Sequence, residues 1–182
     1  MINQKWVGSL LIAMIICFFS QIVKADGMTR TELLASKWEN GNVEYALSAT
    51  EYFNSDLSIE RYGFALLAQN SKYEYLENPF QLVVGDAQQV YNFTKWVLAF
   101  IDTCKIENLE YPNEEQGFSI EFCNWGAFLG KVYFIRKGNA YHVFKKSDIE
   151  KIQKKLLAYC KKQKIEINTA TPVHINETLK GK

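Results

Sequence analysis

The chain carries only two histidines, His142 and His174, and its four cysteines never form a Cys-x-x-Cys pair. Those shortages remove much chemistry at once. A protein metal site needs three or four convergent ligands, and no His/Cys/carboxylate spacing offers them. A thiol oxidoreductase needs a second cysteine nearby to lower the first thiol's pKa and resolve the mixed disulfide. No phosphate-cradling glycine loop and no nucleic-acid motif is present, so no cofactor is implied. Prolines number three and glycines ten, and no tract is of low complexity. Abundant Phe, Tyr, Val, Leu and Ile exclude disorder for the body of the chain.

Long apolar runs are also lacking, except for one. Residues 1–25 (MINQKWVGSLLIAMIICFFSQIVKA) place Lys5 and the amino terminus ahead of an apolar stretch from Trp6 to Val23. Val23-Lys24-Ala25 then supplies a small-x-small cleavage box. This order is that of an export signal, cut near Ala25, so the remaining chain works in a secreted or periplasmic setting. The run also approaches the ~20 residues that span a bilayer, which makes an uncleaved N-terminal anchor the alternative. Cys17 follows Ile15-Ile16, where a lipid-attachment cysteine expects a small residue, and is therefore not read as one.

Removing the leader leaves one domain's length of chain. The expectation is a single domain over residues 26–164 and a loose tail over 165–182, which is polar and contains Pro172. Three cysteines remain, Cys104, Cys123 and Cys160. Their odd number leaves one thiol over from any disulfide, and all three pairings stay open. Cys104 and Cys160 fall on apolar helical stripes, where a free thiol behaves as a small hydrophobe.

The element pattern predicts an α+β fold. Ile149, Ile152, Leu156 and Cys160 recur at helical steps after a Ser147/Glu150 capping box. Val90, Phe93, Val97, Phe100 and Cys104 do the same after Asp86 and Gln89. Thr29 and Glu32 have capping-box spacing ahead of Leu33-Leu34, predicting a short helix over 29–36. Strands are expected over 43–53, 59–67, 73–84 with Pro79 as an interruption or edge marker, 118–123, 132–136 and 141–145. The resulting sheet has about six mainly antiparallel strands, with two principal helices on one face. There is a faint echo, suggestive of two βββα units. The helix pattern recurs 59 residues on, and Ser58-Ile59-Glu60 recurs as Ser119-Ile120-Glu121, 61 residues on.

Charge is distributed unevenly. Residues 26–125 hold six basic and sixteen acidic groups, a balance of −10, whereas residues 126–182 hold thirteen and four, a balance of +9. Lys145, Lys146, Lys151, Lys154, Lys155, Lys161 and Lys162 give the last helix a cationic outer face. Such a face suits an acidic protein, an anionic glycan or a lipid headgroup. Trp125 and Tyr75 are the aromatics expected at the surface, where rings anchor interfaces or stack on sugars.

Three functions are therefore weighed. The leading one is an exported, non-enzymatic binding or inhibitor-type domain that contacts a macromolecule, either an acidic protein or an envelope component. Its candidate binding residues are Lys151, Lys154, Lys155, Lys161, Lys162, Trp125 and Tyr75. The second is a thiol-dependent hydrolase in which His142 activates Cys123. The third is a structural component tethered by the uncleaved leader, the only one of these in which a membrane is a partner.

Overall fold

The computed structural model describes residues 28–39, 42–71, 79–104, 106–114, 117–126 and 130–170. Among these described residues, eight strands and two helices follow in the order β1 (Thr29–Glu39), β2 (Asn42–Phe53), β3 (Ile59–Gln69), β4 (Pro79–Gly85), α1 (Ala87–Thr103), β5 (Glu110–Asn113), β6 (Phe118–Asn124), β7 (Lys131–Lys137), β8 (Ala140–Phe144) and α2 (Lys146–Gln163). The class is α+β, as the sequence implies. The strands form two four-stranded antiparallel sheets, β1-β2-β3-β4 and β5-β6-β7-β8, instead of one sheet of six. Each sheet is followed by its helix, so the chain reads ββββα twice.

Two strands escape the sequence pattern. Residues 29–36 belong to the edge strand β1, not to a helix; β1 pairs with β2 from Thr29↔Tyr52 to Glu39↔Asn42. A bulge between Leu33 and Ala35 breaks its two-residue alternation, and the Thr29/Glu32 spacing merely imitates a cap. β5 is four residues long and contains Pro112, which an edge strand tolerates. Pro79 is the first described residue of β4, which is likewise an edge, and residues 73–78 of the strand expected over 73–84 lie outside the described residues.

The helices form where the stripes predict them. Asp86 caps α1: its Oδ1 accepts the Gln89 N–H at 2.8 Å, and Gln89 Oε1 accepts the Asp86 N–H at 2.9 Å. The α2 cap differs from expectation. Lys145 holds the N-cap position assigned to Ser147, and Asp148 Oδ2 accepts its N–H at 3.0 Å, the part assigned to Glu150. At the other end Lys164 takes a left-handed φ of 58°, which lets Ile165 N–H reach the Cys160 carbonyl at 2.9 Å.

The two units share their core. Phe93 and Trp96 of α1 meet Phe118 at 4.9 and 5.2 Å, and Phe100 meets Tyr111 at 5.2 Å, so the first unit's helix lies on the second sheet. Tyr159 of α2 meets Phe64 and Tyr62 of β3 at 5.9 and 6.4 Å, so the second unit's helix lies on the first sheet. One buried apolar cluster runs from Ala35 and Leu47 through Phe100 to Ile152 and Leu156. At about 25 cal/mol per Å² of apolar surface, this aromatic-rich interior is the main stabilising contribution. The helices thus bury their apolar faces against strands of both sheets, rather than on one face of a single sheet.

The helix echo matches equivalent parts: the N-caps Asp86 and Lys145 lie 59 residues apart. The tripeptide echo does not. Ile59-Glu60 opens the third strand of the first sheet, whereas Ser119-Ile120-Glu121 lies in the second strand of the other. Beyond α2, Asn168 N–H donates to Gln88 Oε1 at 2.8 Å and Lys95 Nζ donates to the Thr169 carbonyl at 2.8 Å. Residues 165–170, the first of the segment expected to be loose, are therefore held to α1, while 171–182 lie outside the described residues.

Candidate functional site

Strand alternation decides the cysteine–histidine pair. Cys123 faces Val132 across β6–β7, and His142 faces Ile135 across β7–β8, while Ile135 itself faces Ile120. Opposed residues share a face and neighbours alternate, so His142 belongs to the core face with Ile120 and Ile135. Cys123 belongs to the outer face with Glu121. The sheet separates the two side chains. Burial and the adjacent Glu121 carboxylate push the Cys123 thiol up, away from the thiolate a nucleophile requires. Its Sγ lies 3.3 Å from Asn108 Oδ1 and 3.6 Å from Glu121 Oε1.

His142 has its own polar neighbours where β8 meets the end of β3. Nδ1 is 2.8 Å from the Gln69 carbonyl and 3.3 Å from Ser71 Oγ, and Nε2 is 3.7 Å from Glu44 Oε2. A serine, an imidazole and a carboxylate in line suggest a hydrolytic triad. The shorter contact settles the tautomer, because a carbonyl only accepts and Nδ1 must therefore carry the proton. A protonated Nδ1 cannot take a proton from Ser71. Burial lowers the His142 pKa to about 4, so the ring is neutral and fixes the junction of the two sheets.

Two further clusters are ionic. Glu51 is 2% exposed, yet its Oε2 lies 2.6 Å from Arg30 Nη2 in an ion pair with no aligned hydrogen bond. Its Oε1 accepts Tyr159 O–H at 3.2 Å, which joins β1, β2 and α2 around one buried carboxylate. On the outer face of the second sheet, Arg136 Nη2 pairs with Glu121 Oε2 at 3.0 Å. The guanidinium lies over the Tyr141 ring at 4.9 Å and the Phe134 ring at 5.7 Å. Trp125, 47% exposed, meets Phe134 edge-on at 5.3 Å. Trp125 is thus a surface aromatic as expected, at the end of a half-buried row. Tyr75 lies outside the described residues.

The lysine face is the most extended of these features. Ile149, Ile152, Leu156, Tyr159 and Cys160 turn inward, and all five of Lys151, Lys154, Lys155, Lys161 and Lys162 are exposed. At about 100° per residue, the five lysines cover roughly 120° of the helix, with Lys154 opposite the core, Lys161 to one side of it and Lys151, Lys162 and Lys155 progressively to the other. Some other cations are paired: Lys146 with Asp102, Arg30 with Glu51 and Arg136 with Glu121. Among the described residues, none of the five stripe lysines has a carboxylate within ion-pair distance.

An aromatic adjoins this stripe that its helical spacing gives no sign of. Lys151 Nζ donates to the Ser36 carbonyl at 3.1 Å, and Trp38 Nε1 donates to Ser36 Oγ at 3.2 Å. Trp38 is 41% exposed, so the edge strand β1 sets an indole beside the first lysine of the stripe. The only sequence signal for it is a large aromatic among the polar residues that end β1.

No protein-family model matches the chain, and no curated protein matches it either. Among the described residues there is no group of three His, Cys, Asp or Glu that could hold a metal ion. No helix among them is long and apolar enough to cross a membrane.

Proposed function

We propose that the protein is an exported, non-enzymatic binding domain that holds an acidic macromolecule, a protein or an envelope component, on the lysine face of α2. Export rests on the leader, with its apolar run and its box at Val23-Lys24-Ala25. The observation that carries the binding reading is the clustering of five exposed lysines along one helix, none with a carboxylate within ion-pair distance among the described residues. Clustered like charges repel one another and destabilise their own helix slightly, a cost that an external counter-charge would relieve.

Complementary charge of this kind acts mainly on encounter. Exposed lysines steer an acidic partner inward and raise the association rate, and their effect falls with salt. The test is surface capture of residues 26–182 on immobilised polyglutamate, compared with a Lys151→Glu/Lys155→Glu/Lys162→Glu variant. The wild type should bind with a strong inverse dependence on salt. The variant should associate at least about tenfold more slowly at low ionic strength. Equal association rates for the two proteins would refute the reading.

A further inference from the structure

The stripe and Trp38 together narrow the class of partner. An acidic protein offers separate carboxylates and needs no indole beside the lysines. A bilayer with anionic headgroups offers a continuous plane of negative charge, with a boundary zone in which an indole lies half in apolar and half in polar surroundings. The five lysines extend over residues 151–162 on the side of α2 opposite the core, a span of about 16 Å at helical rise, so they meet a plane simultaneously. Trp38 stands at one end of that span, tied through Ser36 to Lys151. Its Nε1–H already has a partner in Ser36 Oγ, so the ring can enter the headgroup layer without an orphaned donor.

We infer that this face, Lys151, Lys154, Lys155, Lys161 and Lys162 with Trp38, docks the folded domain on the surface of a bilayer rich in anionic lipid. The inference rests on the lysine face being a binding face, and it goes further by naming the ligand as a layer of lipid headgroups. The contact is peripheral. It requires neither the leader nor a spanning helix, and α2 stays in the core because its apolar side is already buried.

Clusters of four to eight basic side chains hold a protein to an anionic surface, each worth roughly a fivefold gain in binding. The experiment is vesicle co-sedimentation of residues 26–182 with phosphatidylcholine alone and with phosphatidylcholine containing 30 mol % phosphatidylglycerol as the chosen probe. Binding should appear only with the anionic vesicles and weaken steeply with salt. The Lys151→Glu/Lys155→Glu/Lys162→Glu variant should bind at least about a hundredfold more weakly. Contact should shift tryptophan emission to the blue in the wild type, and Trp38→Phe should remove that shift while leaving the far-ultraviolet circular dichroism unchanged.

The two readings fail differently. If polyglutamate captures the protein through the lysines but anionic vesicles do not sediment it, the lipid inference falls and the acidic-partner reading survives. If neither surface responds to the lysines, both fall. Lysine-dependent sedimentation with no emission change on contact would also overturn the inference, because Trp38 would then lie away from the bilayer.

Discussion

His142 and Tyr159 show how single side chains hold the layers of this molecule together. The His142 pKa is lowered to about 4 by burial, against 6.5 in an unfolded chain. As pH falls below the higher value, the unfolded chain takes up a proton first, so this group favours unfolding through that window. Glu44 faces the ring and both Lys37 and Asp148 act on it, the lysine opposing the charged form and the aspartate favouring it. About 3 kcal/mol present above pH 6.5 is lost as pH drops through 4. Denaturant midpoints measured from pH 7.5 to 4 should fall accordingly, and His142→Gln should flatten that slope. Tyr159 O–H donates to the buried Glu51 carboxylate, and removing it leaves the charge with Arg30 alone. Tyr159→Phe should therefore cost about 2 kcal/mol in urea unfolding, the range for a hydrogen bond to a charged group. A change below a few tenths would mean that solvent reaches Glu51.

The two helix ends of α2 make separable predictions at the scale of the element. Asp148, not Ser147, accepts the N-cap amide, so Asp148→Ala should cost about 1 kcal/mol while Ser147→Ala stays nearly neutral. Lys164 occupies a left-handed position that an L side chain enters at a cost, so Lys164→Gly should raise the unfolding free energy by up to about 1 kcal/mol. Thermal melts of the three variants would order them, and a Ser147→Ala loss equal to that of Asp148→Ala would reinstate the predicted box. The same helix shows what the sequence makes legible. Ile149, Ile152, Leu156 and Cys160 announce it because burial on one side imposes a 3.6-residue period, and the lysine face is its complement. β1 stays hidden because the bulge near Leu34 disturbs the alternation that would have revealed a strand. β5 is hidden because four residues with a proline carry too little pattern. Trp38 reaches the stripe through register between distant elements, and Cys123 and His142 are parted by strand parity, neither of which spacing along the chain records.

At the scale of the whole molecule, the ββββα units differ from tandem domains in one respect that governs folding. Each helix reaches the sheet of the other unit: Phe93, Trp96 and Phe100 of α1 meet Phe118 and Tyr111, although α1 also packs on β3 and β4, and Tyr159 of α2 meets Tyr62 and Phe64. A fragment ending at Cys104 would keep the first sheet but lose Leu156 and Tyr159 from above it, and would expose the side of α1 that meets Phe118. Exposing several aromatics at roughly 1.5–3 kcal/mol each costs an amount comparable with the ~5–15 kcal/mol of net stability available to a domain. Residues 28–104 alone should therefore lack fixed tertiary structure, giving flat near-ultraviolet dichroism and binding of a hydrophobic dye. The intact chain should instead unfold in one step, because neither unit can survive loss of the other. Urea transitions followed by tryptophan emission, to which Trp38 on the first sheet, Trp96 on α1 and Trp125 beside the second sheet all contribute, and by far-ultraviolet dichroism should coincide. Two resolved transitions, or a native-like spectrum from the isolated fragment, would show that the contacts of the helices across the two units are not what binds them together.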